Sequence, residues 1–422
     1  MKKIKTFAVP LIAAMITASC ALSADRDTLS LRSCVLLALR NHPLVQTSAG
    51  AALSARGSYY SARSPFFPQL GAQAQASISD PKSQNPPYSA GLTLQQMIFD
   101  FGKTPARSAA AKKSWEASMA DSQNALQSVI LSAAIAYFNL GQAQAVERVS
   151  REAYTQAIEH LKQSEILFTA GRGIKYAVVK AQVDTATARL NVIRSANAVA
   201  TSLVQLETML GMKLSDSVAL LDSLMPEAGK TPVDSALHVA MANRPDLRAA
   251  QLRAASARAQ VQAAKSTAFP SVNAAGTAGY RAQEPDGAWK RNLSGSVTAT
   301  FPLFAGGAIQ GSVLQSAGAY QTAQGNQKSV EQSILLDVKQ QLALLDETQQ
   351  RIDLAGRTVD QAALALSLAR DRFAAGSGNA LEVSDAEAGY ENTKIAQIQA
   401  RYDHAIAIAR LQKALGLLDI PK

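Results

Sequence analysis

Histidines, cysteines and clustered carboxylates are the raw material of most reactive sites, and in this chain none of them is spaced to cooperate. His42, His160, His238 and His404 stand far apart, without an HExxH or Cys/His grouping around them. No phosphate-binding loop occurs, because the short glycine pairs GRG (171–173) and GSG (376–378) follow helical patterns rather than strands. No enzyme activity, metal centre or cofactor is expected. Of the two cysteines, Cys20 lies in a leader-like segment, and Cys34 sits among Leu31, Val35 and Leu39 on an apolar helix face, where it reads as a small core residue. What stands out instead is a phrase used twice: FTAGRGIKY at 168–176 and FAAGSGNAL at 373–381, each interrupting a very long helical pattern.

The chain must position those two interruptions with unusual material. Apolar residues make up 47% but aromatics only 5%, and Ala, Gln, Ser and Leu dominate, which favours close-packed helices over a thick globular core. Lys2, Lys3 and Lys5, the apolar run Phe7 to Ile16 and the small residues TASCALSA have the order of an export signal, expected to be cut near Ala24, with a lipidated Cys20 as the alternative. Loss of the three lysines lowers the net charge from +10 to +7, and the remaining cations are scattered along helices without aromatic partners, so nucleic-acid binding is not expected.

A single plan runs through the chain twice. ALRNHP (38–43) matches AMANRP (240–245), and Pro68 matches Pro270, both at an offset of 202; Phe99 and Phe304, Gly171 and Gly376, and the LG pairs at 210 and 415 share an offset of 205. The three-residue change falls between Pro68 and Phe99, as an exposed loop would allow. Pro43 and Pro245 can each open a helix, since proline at the first position forfeits no hydrogen bond.

After those helices the period drops from about 3.6 to 2. Leu70, Ala72, Ala74, Ala76 and Ile78 alternate with glycine, glutamine and serine; Ala90, Leu92 and Leu94 share a side; Val272, Ala274, Ala278 and Tyr280, then Leu293, Val297, Ala299 and Phe301, repeat the arrangement. Four strands are expected, paired as hairpins across DPKSQNPP and AQEPDGA, long enough to cross a bilayer at a tilt. Phe66, Phe67, Phe99, Phe101, Phe269, Phe301 and Phe304 mark one end, and Tyr88, Tyr280 and Trp289 the other, a pattern of two aromatic girdles. Four strands leave edges unpaired, which lipid does not tolerate; two chains would close on a filled interior, so three is the smallest number that closes and conducts.

From about Pro105 to Phe168, and from Ala308 to Phe373, the pattern stays helical for roughly 95 Å of rod. Val338, Leu345, Ile352, Val359, Leu366 and Phe373 recur every seven residues, and Ala133, Leu140, Glu147, Tyr154, Leu161 and Phe168 keep most of that repeat. A second helix returns after each glycine pair, so Gly171 and Gly376 are expected to turn two long antiparallel hairpins. Trp115 reads as a packed helix residue.

Taken in order, LSLRSCVLLALRNHP, FFPQL, IFDFGK, PLFAGG, the two FxAGxG phrases and the LG ends make the whole mature chain resemble the TolC-like outer-membrane efflux protein family. The resemblance implies a homotrimer with a twelve-stranded β-barrel in the outer membrane of a Gram-negative bacterium and a twelve-helix periplasmic tunnel. It also implies a periplasmic adaptor protein and an inner-membrane transporter as partners, with outer-membrane lipid around the barrel. Phe168, Gly171, Phe373 and Gly376 then become adaptor-docking candidates. Glu382 and Asp385 match acidic positions that narrow the family's periplasmic entrance, whereas Ala177 and Lys180 stand at their counterparts in the first copy and Gly378 replaces a basic residue. Arg172 or Lys180 pairing with Glu382 or Asp385 is the expected substitute, although acids in a first helical turn also complement the helix dipole.

The expected fold class is therefore mainly α with membrane β, organised as a signal (1–24), a first repeat (25–221; hairpin about 67–101, tip near 171), a linker (222–235) and a second repeat (236–418; hairpin about 269–304, tip near 376). The expected role is the passive exit duct of a tripartite exporter of small molecules; a type I protein-secretion duct and a periplasmic coiled-coil scaffold are the alternatives.

Overall fold

The computed structural model describes residues 28–76, 88–215, 218–221, 232–282 and 287–419. The expected signal, Cys20, the whole of the first hairpin loop, part of the second and most of the linker lie outside these residues. A short strand β1 (Thr28–Leu29) precedes α1 (Leu31–Asn41), α2 (Pro43–Arg63), β2 (Gln69–Ala76), β3 (Tyr88–Phe99), α3 (Lys103–Thr169) and α4 (Lys175–Leu210). After β4 (Ala219–Leu220) the same order recurs as α5 (Val233–Asn243), α6 (Pro245–Ser266), β5 (Ser271–Ala282), β6 (Lys290–Thr300), α7 (Ala308–Ala374) and α8 (Ala380–Ala414).

Local chemistry explains the boundaries. Ser30 caps α1 by accepting the Ser33 amide at 3.1 Å, and His42 Nδ1 accepts the Leu44 amide at 3.2 Å where Pro43 starts α2. Each 67-residue rod, α3 and α7, is about 100 Å long. Both rods end in a Schellman turn: Gly171 (φ +70°) donates to the Phe168 carbonyl and Arg172 to that of Leu167, while Gly376 (φ +74°) and Ser377 donate to Phe373 and Arg372. Of the heptad residues of α7, Val338 and Leu366 are buried and Leu345, Ile352, Val359 and Phe373 are half-buried.

The repeated NHP/NRP and LG phrases meet in space. Asn41 Nδ2 donates to the Leu210 carbonyl at 2.9 Å, closing the end of α4, and Gly211 follows in the left-handed region beside Asn41. In the second set Gly416 (φ +72°) lies against Asn243, and Arg244 Nη1 donates to the Ala414 carbonyl at 3.3 Å. Arg244 also binds Asp246 (2.7 Å) and Asp337 (2.6 Å), tying the α5–α6 joint to α7. The larger core gathers α1, the middle of α3, α4 and α8 around Cys34, Val35, Phe138, Leu140 and Leu206. Cys34 is there as expected, its thiol pushed up by burial to about 12. The parallel β1–β4 pair, too short to show a period, is pinned by Tyr137, whose hydroxyl donates to the Leu221 carbonyl at 2.6 Å with that of Leu29 at 3.1 Å.

The four long strands form one antiparallel sheet in the order β2-β3-β5-β6. Leu92 faces Ala72 on one side and Ala278 on the other, and Ala278 faces Leu293, so the apolar residues of all four strands share one face. Gln73, Thr93, Thr277, Ser294, Ser296 and Thr298 occupy the other. Apart from Ala282, the strand residues are exposed or half-buried on both faces, unlike a sheet packed on helices. At the helix end, Phe101 adopts φ +51° where the second set has Gly306 at +56°. Its ring contacts Phe99 (4.7 Å) and Phe269 (5.5 Å), and Ser266 Oγ donates to its carbonyl at 3.1 Å, which holds a conformation costly for a bulky residue.

Two outcomes follow for stability. Gly171→Ala, in open space, should cost about 1–2 kcal/mol for its positive φ alone, whereas Gly416→Ala, whose Cβ would lie 2.8 Å from the Asn243 carbonyl carbon, should cost roughly 2–4 kcal/mol by thermal melting in detergent. Burial alone would raise the Asp246 carboxyl, but the hydrogen bonds and charge of Arg244 outweigh it and hold it below the ordinary 3.8. That stabilisation is complete above the ordinary value and disappears as pH falls through the depressed one. Melts on acidification should show a loss that Asp246→Asn removes.

Candidate functional site

The two tips lie side by side. The Phe373 ring at the end of α7 contacts His160 of α3 at 6.0 Å between centroids, so the second tip leans on the first hairpin. Phe168 is 43% exposed at the end of α3, and Gly171 and Gly376 are exposed at the turns themselves. Between them runs an apolar groove of about 390 Å³ lined by Leu167, Arg172, Ile174, Tyr176, Phe373 and Leu381. All four docking candidates thus share one end of the molecule.

One helical turn deeper, the expected ion pairs take another form. Lys180 binds Asp184 at 2.5 Å within α4 and donates to Ser384 Oγ at 3.0 Å, while Ser384 donates to Asp184 at 2.5 Å, a triangle that staples α4 to α8. The counter-cation of Glu382 is Arg372 of its own hairpin, at 3.9 Å. The expected pairing of Arg172 or Lys180 with Glu382 or Asp385 is therefore not the one made within this chain: Lys180 has a carboxylate one turn along its own helix, nearer than either acid. Arg172 lines the apolar groove instead. Glu382 occupies the first turn of α8, where its amide donates to the capping Asn379 Oδ1 at 2.9 Å, so its charge also complements the helix dipole.

Asp385 faces a polar cavity of about 300 Å³ between the two hairpins, together with Lys180, Asp184, Glu387 and Glu391. Further cross-links surround it. Lys394 binds Glu152 of α3 at 3.0 Å, and Arg370 binds Glu387 at 2.8 Å and Gln156 at 3.3 Å. Burial raises the Glu391 carboxyl, a hydrogen bond from Asn191 offsets it only partly, and its Oε1 has no partner among the described residues. Asp184, Ser384, Glu387 and Glu391 were not singled out from the sequence; the i,i+4 spacing of Lys180 and Asp184 was the one available signal.

The histidines are placed apart, as their spacing implies. His42 caps α2, His160 touches Phe373, His238 is exposed, and His404 Nδ1 lies 3.0 Å from Thr348 Oγ1 inside the α7–α8 seam. Among the described residues no group of three or more His, Cys, Asp or Glu side chains is arranged to hold a metal ion.

Because the folded Glu391 carboxyl lies above its ordinary 4.5, folding favours its neutral form, and the ionised form is penalised once pH rises through the folded value. Glu391→Gln should raise the melting temperature at pH 7 by roughly one to two degrees, and the gain should vanish where Glu391 is already protonated.

Comparison with known proteins is consistent with this geometry. A family model described as "Outer membrane efflux protein" matches residues 35–212 and 236–417. Outer membrane protein TolC of Escherichia coli is 25% identical over 402 residues, covering 90% of this chain and 80% of TolC. The solvent efflux pump outer membrane protein SrpC of Pseudomonas putida is 24% identical, covering 90% and 83%. The crystal structure of the Campylobacter jejuni CmeC outer membrane channel superposes with a TM-score of 0.82 at 20% identity, covering 92% of this chain and 85% of that one.

Proposed function

The chain belongs to the outer membrane efflux protein family, and from that premise we propose that it is the outer-membrane channel of a tripartite efflux system, a passive duct completed by two further copies of itself. One observation carries this reading: a four-stranded sheet with one apolar and one polar face, both of whose edges, β2 and β6, are unpaired among the described residues, mounted on rods about 100 Å long. Pairing β6 of one copy with β2 of the next satisfies the edges, turns the apolar face to lipid and the polar face to a lumen, and closes at twelve strands. The rods extend the passage across the periplasm.

The exposed tips with Phe168, Gly171, Phe373 and Gly376 are the surface for the periplasmic adaptor, through which an inner-membrane transporter is coupled. We assign Glu382, Asp385, Arg172 and Lys180, which lie just beyond the tips, to the periplasmic entrance. Small molecules are the favoured cargo, supported by a relative named for solvent efflux.

The purified mature protein should fractionate with the outer membrane, migrate as a heat-modifiable trimer and conduct in planar bilayers. A stable, detergent-free soluble monomer would overturn the reading. Glu382→Lys with Asp385→Lys should move ion selectivity toward anions; unchanged selectivity would remove the two acids from the entrance.

A further inference from the structure

The polar face of the sheet is uncharged along most of its length, and its charge is concentrated at the end away from the helices. β2, β3, β5 and β6 contain no Asp or Glu. Arg281 and Lys290 stand directly opposite one another in the β5–β6 ladder, both on the polar face and both exposed. Facing like charges repel, and no carboxylate on these strands relieves them. Arg291, by contrast, falls opposite Tyr280 on the apolar face, so the polar-face pair is distinct from any cation directed at lipid headgroups.

Beside the pair the strands form a recess. Gly91 faces Gly279, and the strands approach so closely there that a Cβ on Gly279 would collide with the Ala90 carbonyl. The resulting hollow of about 280 Å³ has the two glycines in its floor and Ser89, Arg281 and Asn292 in its wall. Asn292 Oδ1 accepts a hydrogen bond from Arg281 Nη2, which orients the guanidinium at the rim.

We propose that this recess is an oxyanion-binding step at the outer mouth of the lumen, recognising carboxylate- or phosphate-bearing solutes through Arg281, Lys290 and the Ser89 hydroxyl. The proposal rests on the channel reading, which makes the polar face a lumen. An arginine fork matches two oxygens of such a group, and the lysine opposite supplies the second charge. Repeated in three chains, the pairs place six cations around the outer end of the lumen, so an anionic solute leaving the duct meets an attractive field at the exit.

Bilayer recordings with inorganic pyrophosphate, added to each chamber in turn, test this. Wild-type current should fall when pyrophosphate is added on one side only. Arg281→Gln with Lys290→Gln should weaken that block by about tenfold, the loss of charge-assisted hydrogen bonds, and shift the zero-current potential under a KCl gradient toward cations. Lys290→Gln alone, at the first residue of β6, should give a smaller change of the same sign and serves if the double variant does not assemble as a heat-modifiable trimer. Pyrophosphate without effect on a conducting wild type overturns the proposal, as does unchanged block and potential in an assembled variant. A wild type that never conducts refutes the channel reading instead.

Discussion

In hydrocarbon every peptide N–H and C=O must find a partner within the protein, and an unmatched one costs several kcal/mol. β2 and β6 each present an edge that no other described strand pairs with. The other large features answer to that constraint. Two hairpins joined through β3 and β5 make a third of a ring, and the two-fold repetition of elements supplies two hairpins and two pairs of rods per chain. Closure with identical copies follows because β6 ends one sheet where β2 begins the next.

A tube also needs thin, curved walls. Alanine-rich helices pack close with little side-chain bulk between them, and the buried residues of α3 and α6 are largely Ala and Ser. The larger side chains are concentrated where α1, α4 and α8 thicken the wall around Phe138 and Leu140, and where Tyr137 pins the β1–β4 pair. Below that level Leu366 stays buried along α7, and polar contacts link the two hairpins. Lys180, Asp184 and Ser384, Lys394 with Glu152, and Arg370 with Glu387 and Gln156 are half-exposed contacts of modest individual worth, suited to an end that changes partners.

The sheet distributes charge in a complementary way. Its lipid face carries aliphatic and aromatic side chains, its lumen face amides and hydroxyls, and its cations collect at the far end. The sheet is therefore graded along the strands, uncharged toward the helices and cationic at its far end.

What the amino-acid sequence determined by itself was everything carried by period and punctuation: two repeats, four alternating strands, two heptad rods and the glycines that reverse them. Those signals are local, and a Schellman turn at Gly171 or a helix opening at Pro43 depends only on near neighbours. Other choices belonged to the tertiary structure. Lys180 finds Asp184 one turn along its own helix, but only the packing of α4 on α8 adds Ser384 from 204 residues away. The left-handed Phe101, the half-buried Glu391 and the two-residue β1–β4 pair were equally invisible, because each is set by groups brought from distant segments. Spacing along a chain encodes which face a residue occupies; which partner it meets there is decided by how separate elements dock.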